Sequence, residues 1–149
     1  MNKNIPLFGA LLLLGLTLSR LPAQSPAGPP DATLEVIARN GADHEKHLWS
    51  INGSVPTIMV RPNQTVPVTL QFPADKAGTQ VIALPLDGGE IGGGDLVVLP
   101  TGRTMFIFSP GTAPGRYRVE LHTPTERHLL EFYVVDPSNP TGSYRPGSN

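Results

Sequence analysis

Between residues 33 and 135 the apolar side chains recur mostly at every second position, the period of a strand with one buried face. VPVTLQF (66–72) is the clearest case, with Val66, Val68, Leu70 and Phe72 on one side. GRYRVELH (115–122) groups Tyr117, Val119 and Leu121, and HLLEFYVV (128–135) groups Leu130, Phe132 and Val134. TLEVIAR (33–39), HLWSI (47–51), TIMV (57–60), TQVIAL (79–84), LVVL (96–99) and RTMFIFS (103–109) are the other predicted strands. Clusters of Asp, Gly, Pro and Thr suited to turns separate them. Helical spacing is missing except in PADKAGT (73–79), which predicts a turn or two at most. Short strands at near-regular spacing predict an all-β chain folded as an antiparallel Greek-key β-sandwich or a barrel. Pro67 lies inside a predicted strand and lacks the N–H a ladder needs, which predicts an edge strand or a bulge.

The flanks read differently. Residues 1–23 carry Lys3, an apolar run from Ile5 to Leu18 and small residues near Ala23, the pattern of a secretory signal peptide. The run is shorter than a membrane-spanning helix needs, so cleavage after Ala23 leaves no stable membrane span; an uncleaved anchor is the alternative. Residues 24–32 form a Pro-rich lead-in, 33–135 the folded domain, and 136–149 a flexible tail. A secreted or periplasmic location follows from that leader.

Removing residues 1–23 takes two of the 11 basic residues and none of the 12 acidic ones, leaving a formal charge of −3. The charges are dispersed, without the basic stripe of a nucleic-acid protein. Cysteine is absent. The fold therefore rests on its apolar core, and thiolate catalysis, disulfide exchange and cysteine-based metal sites are excluded.

WSINGSVPTIMVRPNQTVPVTL (49–70) resembles the N-terminal motif of cupredoxin-like domains, including those of multicopper oxidases. Asn52 and Gly53 suit a turn, Pro56 the start of an extended strand, and Pro62 with Asn63 the next hairpin. PGRYRVEL (114–121) is similar to the strand before the last hairpin of that fold. An immunoglobulin-like sandwich uses the same turn-and-alternation grammar and is the runner-up. The resemblance implies a type 1 copper site of a cysteine thiolate, two imidazoles and a weak methionine. This chain departs from it: YRVELHTPTERHLLEFYVV has neither cysteine nor methionine, and PADKAGTQV lacks the expected histidine.

Other chemistry is scattered. His44 and His47 in DHEKH (43–47) suit a borderline metal, with Asp43 or Glu45 adding oxygen; a solvated loop is the plainer reading. His122 and His128 flank TPTER and face each other if the last hairpin aligns them, and they meet His44 and His47 if both loops share one end. Met59 and Met105 are soft enough for Cu⁺ but read as core, and Trp49 as a core or core-edge anchor. Asp87, Glu90 and Asp95 in LDGGEIGGGDL (86–96) offer hard oxygens for calcium without EF-hand spacing. Ser50, Ser54 and Ser109 lack a nucleophile-elbow context, and Glu120 and Glu131 fit an ordinary solvent face. Asn52 and Asn63 begin glycosylation acceptor triplets.

The expected function is a noncatalytic exported module with a binding or structural role in the cell envelope. Its partner would be another envelope or extracellular protein, with no nucleic acid and no resident cofactor. The alternative is a copper- or zinc-binding or chaperone module whose ligands are His44, His47, His122 and His128.

Overall fold

The computed structural model describes residues 28–41 and 44–138; the predicted signal peptide, the first part of the lead-in, Asp43 and the tail from 139 onward lie outside the described residues. The strands are β1 (Glu35–Arg39), β2 (Glu45–Trp49), β3 (Ile58–Val60), β4 (Val66–Gln71) and β5 (Gln80–Pro85). They continue with β6 (Glu90–Gly92), β7 (Leu96–Val97), β8 (Arg103–Ser109), β9 (Gly115–His122) and β10 (Arg127–Val134). Sheet one runs β2-β1-β4-β8-β6 and sheet two β3-β10-β9-β5-β7. The two sheets form a β-sandwich. The predicted helix-like piece shrinks to a 3-10 turn at Ala74–Lys76.

The core is the sum of the inward faces that the alternation predicted. Val66, Val68, Leu70 and Phe72 are buried, as are Tyr117, Val119 and Leu121, and Leu130, Phe132 and Val134. Phe108 of sheet one and Phe132 of sheet two join the layers, their ring centroids 4.4 Å apart.

Three expectations change. β4 is not an edge strand: it lies between β1 and β8. Pro67 is tolerated because the β1 ladder ends at Ala38–Val68, one residue short of it. β3 pairs with β10 in parallel, the one exception to antiparallel pairing among the described strands. β3 and β4 are also not a hairpin, because the Arg61–Gln64 turn carries the chain from sheet two back to sheet one.

The reason lies in the corner after β2. Asn52 (φ 53°) and Gly53 (φ 78°) are both left-handed, as a type I′ turn demands, and Ile51 and Ser54 exchange backbone hydrogen bonds across them. The corner then docks on β10: the Leu129 N–H donates to the Gly53 carbonyl, and the Val55 N–H to the Leu129 carbonyl. A Cβ on Gly53 would lie 2.9 Å from the Arg127 carbonyl oxygen, so the docking needs glycine for space as well as for φ. Thus β2 ends in one sheet and β3 begins in the other.

Candidate functional site

The histidines do not converge. Register pairs His122 with Arg127 and His128 with Leu121, so the two histidines of the last hairpin point to opposite faces. His122 faces outward beside Glu120, its Nε2 2.9 Å from Glu120 Oε2, and that imidazole holds the Glu120 carboxyl below the usual carboxylate range. His128 faces inward and is 2 % exposed.

His44 belongs to the β1–β2 turn, at the Val66 end of β4, whereas the His128 ring stacks edge-on against Phe72 beyond the other end. The six residues of β4 separate those ends by about 17 Å. His47 lies on the outer face of sheet one, opposite Ile37, with Nδ1 2.8 Å from Oε1 of the largely buried Glu35. The four-histidine arrangement is therefore not realised. Among the described residues no group of three or more His, Asp and Glu side chains is placed to hold a metal ion.

His128 instead joins a chain of polar groups that runs from the buried Ser50 out to the half-buried Glu126 and Lys76. Its Nδ1 is 2.8 Å from Ser50 Oγ, and its Nε2 is 3.2 Å from Glu126 Oε2. Glu126 Oε1 continues to Lys76 Nζ at 3.3 Å. With Nε2 donating to the Glu126 oxygen, the Nδ1 side of a neutral ring is the acceptor for the Ser50 hydroxyl. The order serine–histidine–glutamate is that of a nucleophilic triad, but the serine meets Nδ1 and the carboxylate Nε2, the reverse of a triad, and Ser50 is 1 % exposed. What the chain does physically is tie the residue before the corner to β10 and to the 3-10 turn.

The Gly-rich segment also departs from expectation. Glu90–Gly92 is an edge strand on β8 rather than a loop, with Ile91 opposite Phe108. Gly89 and Gly93 have positive φ where the backbone presses on Phe108 and Phe106. Asp87 is not available as a calcium ligand: both its oxygens receive Arg118 guanidinium hydrogen bonds at 2.7 Å. The guanidinium holds the Asp87 carboxyl below the usual aspartate range. Because the folded state depresses this pKa, the pair's contribution is present above the unfolded value and is lost as pH falls through the folded one. Arg118→Gln is expected to cost little stability near pH 7, this being a partly exposed pair. It should also flatten the acid limb of the stability curve below about pH 4, read by urea unfolding at a series of pH values.

One surface stands apart. Of eight exposed large apolar side chains among the described residues, seven fall between Ile82 and Ile107, and Ile51 is the other. They wrap the flank where the short strands β6 and β7 are the sheet edges. Ile82, Leu84 and Val97 lie on the outer side of sheet two. Met105 and Ile107 lie on the outer side of sheet one, extended across its strands by Thr69 and Ile37 beside Met105 and by Pro67 and Gly92 beside Ile107. Met105 was expected in the core, but Thr104, Phe106 and Phe108 take the inward positions of β8 and leave Met105 55 % exposed. Met59 is half-buried on β3, and Trp49 is a core-edge residue packed against Gly28.

Among the described residues no helix is long and apolar enough to cross a membrane. Comparison of the chain with protein-family models and with curated proteins returns no match.

Proposed function

We propose that this chain is an exported, noncatalytic β-sandwich module that holds another envelope or extracellular protein on its β5–β8 flank. The observation that carries this reading is the concentration of exposed apolar side chains between Ile82 and Ile107. Exposed apolar side chains gathered in one part of a surface mark interaction sites on globular domains. On sheet one the patch is continuous by register, since Ile37, Thr69 and Met105 sit on adjacent strands. Its far border on β2 is charged, with Glu45 paired to Arg39 and His47 to Glu35, which gives an apolar centre and a polar rim.

We further propose a cupredoxin-like scaffold without the type 1 copper site. The stretch that carries the resemblance forms the turn by which the chain changes sheets, which supports that reading. The last hairpin, where the family's ligands would lie, holds no cysteine or methionine, and its one inward histidine is used by Ser50 and Glu126.

The test is site-specific photo-crosslinking of the exported protein in its own envelope. Probes replace Ile82, Met105 or Ile107 on the flank and Arg39 or Lys46 on the opposite side. Adducts to one partner from the flank positions, with none from the β1–β2 positions, are the expected result. Adducts only from Arg39 and Lys46, or from no position, overturn the reading.

A further inference from the structure

Sheet two has an interrupted edge. β7 pairs with β5 only at Gln80–Val97 and Val81–Leu96, after which the chain peels away through Asp95, Gly94 (φ 72°) and Gly93 (φ 126°) to reach β6. Ile82 to Pro85 of β5 thus pair with β9 on one side and with no described strand on the other, where β6 of sheet one passes nearby without a ladder.

The direction of the free groups follows from the ladder. The Leu86 N–H donates to the Arg118 carbonyl, so Leu86, Leu84 and Ile82 are the hydrogen-bonded positions facing β9. Ala83 and Pro85 alternate with them and point away. The Ala83 N–H, the Ala83 carbonyl and the Pro85 carbonyl therefore face the space that a longer β7 would have filled. That space is a groove of about 180 Å³ bordered by Ile82, Ala83, Ile91, Gly94, Asp95 and Leu96. It is smaller than the roughly 300 Å³ at which small-molecule sites begin. Its size suits a side chain of a peptide rather than a free metabolite.

The remaining edges are less suited. β2 carries Glu45 and Lys46, charges that discourage pairing, and β3 and β6 have three residues each. β5 has no charge from Gln80 to Leu86, and it shows exposed Ile82 and Leu84 to any strand beside it. The one charge lining the groove is Asp95, which has no ion-pair partner among the described residues.

We propose that this gap takes an extended peptide segment, added to β5 in line with β7, with an apolar side chain in the groove and a basic residue against Asp95. The inference rests on the binding reading above and names the partner chemistry for one part of that flank. Backbone hydrogen bonds to Ala83 and Pro85 supply the pairing, and the groove with Asp95 supplies the selectivity. Pro85 removes a donor and keeps the pairing short.

The test titrates the exported protein, ¹⁵N-labelled, with a capped pentapeptide of sequence Lys-Val-Ile-Val-Lys, followed by amide chemical shifts. Shifts centred on Ile82, Ala83, Gly94 and Asp95 are expected. Replacing the peptide's lysines with glutamates, or Asp95→Lys in the protein, should weaken binding about tenfold. Methylating the peptide's central amide, or Ala83→Pro with an unchanged melting curve, should abolish the shifts. Shifts scattered over the surface or along β2, or indifference to both charge reversal and methylation, overturn the proposal. If flank crosslinks persist in Ala83→Pro, strand addition fails while the flank reading stands; if flank crosslinks are lacking from the outset, the broader reading fails as well.

Discussion

Replacing His128 with alanine is expected to cost about 3–4 kcal/mol of unfolding free energy, a large share of the 5–15 kcal/mol typical of such a domain. Two effects add. A cavity opens beside Phe72, whose ring lies 6.4 Å from the imidazole, and the buried Ser50 hydroxyl loses its hydrogen bond to the ring at 2.8 Å. His128→Leu separates the two effects, because it fills most of the space and leaves only the unpaired hydroxyl, for about 1–3 kcal/mol. Adding Ser50→Ala to His128→Leu should then recover part of that loss, since removing both partners is cheaper than stranding one. Guanidinium unfolding of the four proteins in the cycle gives the coupling directly. Strictly additive losses would show that Ser50 and His128 do not act as a unit, and the corner would need another explanation.

Such a role could not be read from the chain alone. Ser50 and His128 are 78 positions apart, and the local text around each is that of a turn and of a strand end. Strands with unequal faces were legible: VPVTLQF and GRYRVELH alternate apolar with polar residues, so their buried sides follow from the period. In RTMFIFS both sides are apolar, and nothing local decides whether Met105 and Ile107 or Phe106 and Phe108 turn inward. Packing decides it, since the two phenylalanines complete the layer against Phe132. Glu90–Gly92 is illegible as a strand for a different reason. Three residues flanked by glycines show no periodicity, and their strand character comes wholly from pairing with β8.

The hairpin histidines show the limit of spacing arguments. His122 and His128 are close in sequence on either side of a short turn, which suggests that they face each other. The register of β9 and β10 is what separates them, because Arg127, not His128, stands opposite His122. A shift by one residue would exchange inside and outside along the whole strand, so Leu130, Phe132 and Val134 fix the side on which His128 must lie. The core therefore dictated the fate of the candidate ligand, and the four-histidine site failed for reasons of packing rather than of metal chemistry.

The same alternation along β8 predicts opposite results for two neighbouring large residues. Phe108→Ala should destabilise the domain by about 3–5 kcal/mol, because the ring is fully buried and stacks on Phe132 across the sheet interface at 4.4 Å. Met105→Ala, three residues earlier on the outer face, should change stability by no more than about 0.5 kcal/mol. Chemical denaturation with an unchanged slope measures both. A large loss from Met105→Ala would mean that its side chain is covered in the folded chain, and the exposed patch on sheet one would lose its centre. Near-neutrality instead makes Met105 and Ile107 positions at which a charge can be introduced without unfolding the sandwich. Loss of partner crosslinking in a Met105→Glu protein with an unshifted unfolding midpoint would then report on the surface itself, because the core residues that hold β8 in place point the other way.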